Sequence, residues 1–141
     1  MYEKETKQME KIRPEQFKHE DVPLIGFDTM RAFWETDQNV EFVCVLTEEF
    51  FRDKVIERSH WIPLDRIERE FEQKIPDKDQ LVVVYCAGYE CPQSIEAVRK
   101  LRKMGYKHVL DFKGGIHEWE EHKMPIERLE REKTKSESRP G

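Results

Sequence analysis

The sequence predicts an α/β fold, a mostly parallel sheet with helices packed on both faces. Three observations point there. The run at residues 81–86, Leu-Val-Val-Val-Tyr-Cys, is apolar without a break, the pattern of a strand covered on both sides. In the segment that follows, Ile95, Val98, Leu101 and Met104 recur every three residues and Ala97 widens the stripe, which is the spacing of a helix with one buried face. A second apolar run, residues 108–112, comes next. Strand, helix and strand in succession require a crossover, and crossovers join parallel strands.

The elements follow in chain order. Residues 1–21 are almost wholly polar, with Met9, Ile12 and Phe17 alone able to make apolar contacts, and form a polar arm outside the core. The folded domain spans residues 22–127. An amphipathic stretch at 28–35 predicts the first helix, and Phe33 and Trp34 there are core-sealing aromatics. Residues 40–46, Val-Glu-Phe-Val-Cys-Val-Leu, are rich in β-branched and aromatic side chains and predict a strand. Trp61-Ile62 predicts a second strand, 64–73 a second helix and 81–86 the central strand. The next helix covers 92–104, with Pro92 at its first position and Gly105 as its stop. Its charged side, Glu96, Arg99, Lys100, Arg102 and Lys103, is either a solvated face or a docking patch for an acidic partner. After the strand at 108–112, Ile116 and Trp119 close the sheet from a last helix. Residues 128–141 include an end, 131–141, without one apolar residue and form a disordered charged tail.

Composition narrows the function classes. With 25 Lys and Arg against 30 Asp and Glu, the chain carries a net charge of −5, and basic residues are interleaved with Glu. No basic surface is set aside for phosphate backbones, so nucleic acid is not an expected partner. No apolar stretch approaches the roughly 20 residues of a membrane span, and the expected location is cytoplasmic. The three cysteines, Cys44, Cys86 and Cys91, are too few for a secreted disulfide framework. Their spacing lacks the paired C-x2-C knuckles of a zinc site, so no metal is expected.

Cys86 ends the central strand, where chemistry sits in parallel sheets. Between it and the next helix lie Ala87, Gly88, Tyr89, Glu90 and Cys91. A short glycine-containing loop of this kind can turn its N–H groups toward one point, joined by the first free N–H groups of the helix. There they bind an anion and lower a thiol's pKa below the free value of roughly 8.5. The other reading makes Cys86 a small buried hydrophobe. Cys91 either faces the pocket as a resolving thiol or packs at the loop–helix junction, and Cys44 belongs to the core. Tyr89 shapes the rim. His60 and His117 receive no catalytic role.

The residues 81–120 carry a resemblance. Val-Val-Tyr-Cys, a loop, an amphipathic helix ending in Met104-Gly105-Tyr106, the strand Val-Leu-Asp-Phe and then Lys113-Gly114-Gly115-Ile116-His117-Glu118-Trp119 look like the C-terminal half of a rhodanese domain. The resemblance implies a three-layer sandwich around a mostly parallel five-stranded sheet, with no cofactor. It implies a sulfurtransferase in which Cys86 takes sulfane sulfur as a persulfide, cradled by the amides of residues 87–91, and passes it to a thiol or to cyanide. The partners implied are a small sulfur donor or a persulfide-carrying protein. The family's Asp-x-Arg is replaced here by Cys44-Val45-Leu46, and the loop is longer than usual. Related phosphatases clamp phosphate with an arginine six residues after the cysteine, where this chain has Pro92, which has no charge to offer. Glu90 disfavours dianions such as phosphate and thiosulfate. Two rival functions remain: a non-catalytic interaction module of the same fold, and a thiol redox sensor built on Cys86 and Cys91.

Overall fold

A computed structural model describes residues 21–36 and 39–129. Most of the polar arm and of the charged tail therefore lies outside the described residues, with Met9, Ile12 and Phe17 among them. In chain order the elements are β1 (Leu24–Ile25), α1 (Phe27–Thr36), β2 (Val40–Cys44), β3 (Lys54–Ile56) and β4 (Ser59–Trp61). A 3-10 turn (Leu64–Arg66) leads into α2 (Ile67–Lys74), followed by β5 (Leu81–Tyr85), α3 (Gln93–Lys103), β6 (His108–Phe112), α4 (Gly115–Glu121) and β7 (Ile126–Arg128).

Five strands form one sheet in the order β1-β6-β5-β2-β4, every neighbouring pair parallel. The apolar run does occupy the centre. Val82, Val83, Val84 and Tyr85 are fully buried, as a strand flanked by neighbours and covered on both faces must be. Register sets Cys44 beside Tyr85 and Val84 beside Asp111, so the carboxyl ends of β2, β5 and β6 lie together. Two helix pairs cover the sheet: α2 packs with α3, and α1 meets α4 through Trp34 and Trp119, whose rings are 5.7 Å apart.

The sequence left three strands unread. β1 supplies the fifth strand of the sheet, and β3 pairs with β7 in a separate antiparallel ribbon. At two and three residues, none is long enough to show alternation. The strand expected at Trp61-Ile62 runs instead over Ser59–Trp61, and the helix expected from Leu64 opens with the 3-10 turn. Asp21 accepts two bonds of 2.9 Å from the Arg99 guanidinium on α3, β7 runs to Arg128, and the Leu129 N–H binds the Asp53 carbonyl at 3.0 Å. None of the described helices is long and apolar enough to cross a membrane.

Candidate functional site

Cys86 follows β5 directly, and Pro92 in helical conformation (φ −86°) leads into α3. What shapes the loop between them is the start of α4. The N–H of Ile116 binds the Cys86 carbonyl at 3.0 Å, and that of His117 binds the Ala87 carbonyl at 2.9 Å. Successive peptide planes are thereby turned with their carbonyls toward α4. This close approach explains Gly115: its φ is +65°, and a Cβ there would sit 2.4 Å from the Cys86 carbonyl oxygen. A turn closes between Gly88 and Cys91, whose N–H binds the Gly88 carbonyl at 3.1 Å.

Lys113 holds the remaining carbonyls. Its ammonium donates to Tyr89 at 2.9 Å and Cys91 at 2.6 Å, and lies 3.5 Å from Gly88. One flexible side chain thus gathers the loop around a fixed charge. Across the site, Gln93 and Thr47 form a reciprocal clasp: the Gln93 amide donates to Thr47 Oγ1 at 3.0 Å, and the Thr47 N–H donates to Gln93 Oε1 at 3.1 Å. The clasp ties the loop after β2 to the first turn of α3.

The two loop thiols differ sharply. Cys86 is 1% exposed, and its Sγ lies 3.3 Å from the Cys91 carbonyl oxygen and 3.5 Å from Ser94 Oγ. The neighbouring Cys91 thiol and burial push the Cys86 pKa up, only partly opposed by Ser94. Cys91 is half-buried. The neighbouring Cys86 thiol, the N–H groups of Ala87 and Gln93 and the Lys113 charge outweigh desolvation and lower its pKa to about 6. The loop sequence predicts a converging-amide cradle at Cys86; two of those amides, from Ala87 and Gln93, instead lower the pKa of Cys91. Both thiols are reduced, and Cys44, fully buried in β2, has its pKa raised by burial to about 12.

An open cleft of about 870 Å³ lies in front of this loop. The residues at positions 87–91 line it, with Leu46, Phe50 and Pro92 forming apolar wall and Arg52 and His117 adding polar groups. Cys86 is not part of that lining. Tyr89 is 62% exposed at the rim, held by a 3.1 Å bond from its hydroxyl to Glu118, and Glu90 is exposed beside it. His60 lies away from the cleft and pairs with Glu41 at 2.8 Å. Sequence reasoning missed Lys113, Ser94 and Asp111. Ser94 and Asp111 sat inside patterns that identified them only as helix and strand, and Lys113 read as part of the glycine motif it precedes.

A family model for the Rhodanese-like domain matches residues 33–122. Solved structures of similar shape include a protein from Bacillus halodurans, 18% identical, with a TM-score of 0.68 over 86% of this chain and 94% of that one. A rhodanese-like domain of an Anabaena protein is 24% identical, with a TM-score of 0.65 over 76% and 80% of the two chains. A rhodanese with anions from E. coli is 28% identical, with a TM-score of 0.51 over 63% of this chain and 98% of that one. No protein of curated function matches the sequence significantly.

Proposed function

Because the chain belongs to the rhodanese-like domain family, we propose that it is a sulfurtransferase carrying sulfane sulfur as a persulfide on the loop that follows β5. Cys91 takes the sulfur from the cleft, and Cys86 is the second thiol behind it. This order reverses the one expected from the sequence. The observation that carries it is the division of properties between the sulfurs: Cys91 lines the cleft with a pKa lowered to about 6, while Cys86 is enclosed and stays protonated. At neutral pH the nucleophile is the thiolate.

Loading is a displacement at sulfur. The Cys91 thiolate attacks the outer sulfur of a persulfide R–S–SH, the S–S bond breaks, and RS⁻ leaves, so Cys91–S–SH forms without net oxidation or reduction. The Ala87 and Gln93 N–H groups and Lys113 stabilise negative charge there. The donor's chemistry follows from the cleft. Glu90 repels a dianion such as thiosulfate, whereas the walls of Leu46, Phe50, Tyr89 and Pro92 suit the carbon skeleton of an organic thiol.

Intact-mass spectrometry after exposure to glutathione persulfide tests the assignment. The expected result is a gain of one sulfur atom in Cys86→Ser, where no second thiol displaces it, and none in Cys91→Ser. Gain kept in Cys91→Ser and lost in Cys86→Ser would return the carrier role to Cys86. No gain in either variant would exclude persulfide loading and favour an interaction module.

A further inference from the structure

Behind the two thiols lies a buried polar file that the loading step does not use. Asp111, in β6, is 0% exposed. Its Oδ2 accepts the Ser94 hydroxyl at 2.9 Å, and its Oδ1 finds no hydrogen-bond partner among the described residues. Ser94, equally buried in the first turn of α3, lies 3.5 Å from Cys86 Sγ, which is placed to donate to it. A half-satisfied carboxyl group in this setting is a cost to the fold, since its strand neighbours Val109 and Phe112 are apolar and a small apolar residue would fill the place without an unpaired oxygen. The hydrogen bonds also run in one direction. Cys86 S–H faces Ser94 oxygen, and Ser94 O–H faces the Asp111 carboxylate.

We propose that Ser94 and Asp111 form a proton relay for Cys86, drawing its proton inward as Cys86 attacks a sulfur–sulfur bond carried on Cys91. The relay deepens the assignment of Cys91 as carrier and rests on it. Cys86 sulfur attacks Cys91 Sγ, and the bond from Sγ to the sulfane sulfur breaks with its electron pair leaving as HS⁻. The Cys86 proton passes to Ser94 oxygen as the Ser94 proton passes to Asp111 Oδ2. The two cysteines are oxidised together by two electrons to a disulfide, and the sulfane sulfur is reduced to sulfide. A low-molecular-weight dithiol then reopens the disulfide by exchange. Ser94 and Asp111 are positioning residues, acting through Cys86. The groups facing Asp111 are Ser94 from α3, Lys113 beyond β6 and Cys91 from the loop; burial outweighs the opposing Ser94 bond and Lys113 charge and raises its pKa to about 7. Its carboxylate form, the proton acceptor, therefore appears as the pH rises through neutrality.

An aromatic disulfide, dithiodipyridine, reads the relay without any sulfane sulfur. Attack by Cys91 releases one thiopyridone, and displacement of the resulting mixed disulfide by Cys86 releases a second, so the wild type should show two phases. In Asp111→Asn and in Ser94→Ala the ratio of second to first rate should fall about a hundredfold, the scale of a lost proton-transfer route. Ser94→Thr, which keeps a hydroxyl, should recover most of it. The rise of the second rate near pH 7 should vanish in Asp111→Asn. An unchanged ratio in Ser94→Ala overturns the relay even if Asp111→Asn fails to fold. So does a parallel fall of both phases, a pH rise kept in Asp111→Asn, or a wild type releasing one thiopyridone. Two relay-dependent phases in a protein whose Cys86→Ser variant gains no sulfur from glutathione persulfide would support the relay and reject sulfur transfer.

Discussion

Two residues show how single side chains decide the loop. Lys113 donates to the Tyr89 and Cys91 carbonyls and adds positive charge beside the Cys91 sulfur. Lys113→Met should move the Cys91 pKa upward from about 6, which is read as a shift to higher pH in the rate of alkylation by iodoacetamide. An unmoved profile would show that the amides of Ala87 and Gln93 suffice. Gly115 acts through what it lacks. Gly115→Ala forces a Cβ to within 2.4 Å of the Cys86 carbonyl at a φ of +65°. The expected cost is about 3 kcal/mol or more of folding stability, seen as a lower urea midpoint, because the clashing atom is backbone and cannot swing aside.

At the scale of elements, one hydroxyl braces the central strand against its neighbours. The Tyr85 hydroxyl, at the end of β5, accepts the Ile56 N–H at 2.8 Å and donates to Ser59 Oγ at 2.9 Å, so a single oxygen joins β5 to β3 and β4. Tyr85→Phe leaves the buried Ile56 N–H without its acceptor. That should cost about 1–3 kcal/mol in urea unfolding, the desolvation penalty of an unpaired amide. Ser59→Ala removes only the acceptor of the hydroxyl proton and should cost less. The same logic applies on the other side of the sheet, where Trp119, fully buried in α4, meets Trp34, Phe27 and Phe112 and donates its indole N–H to Pro125 at 2.8 Å.

For the whole molecule, the site's titrating groups write themselves into the pH dependence of stability. Asp111 holds its proton to about pH 7 when folded, against an ordinary carboxyl value of 3.8. Between those values the folded state binds the extra proton, so this contribution to stability falls as pH rises from about 4 to about 7 and is flat beyond. At about 1.4 kcal/mol per tenfold change in proton affinity, the fall is up to about 4 kcal/mol. Cys91 works in the opposite direction. Its folded pKa of about 6 lies below the ordinary 9.0, so its contribution is complete above pH 9 and is lost as pH falls through 6. Urea unfolding from pH 4 to pH 9 should show Asp111→Asn lacking the falling limb and Cys91→Ser lacking the rising one. Profiles that coincide with the wild type would show these groups to be less perturbed than their surroundings imply.

The order of the main elements was legible in the sequence because each long element carries its own periodicity. The unbroken run at 81–86 announced a doubly covered strand, and the three-residue recurrence from Ile95 to Met104 announced a helix. The position of the loop followed, since a parallel sheet gathers its loops at the carboxyl ends of its strands. The roles within that loop were decided by tertiary structure alone. Cys86 and Cys91 are alike as residues. What separates them is the start of α4 pulling the carbonyls of residues 86 and 87 to one side and Lys113 reaching back from beyond β6. A thiol's acidity depends on which dipoles and charges lie within a few ångströms of it, and those groups come from parts of the chain up to 30 residues away that only folding brings together.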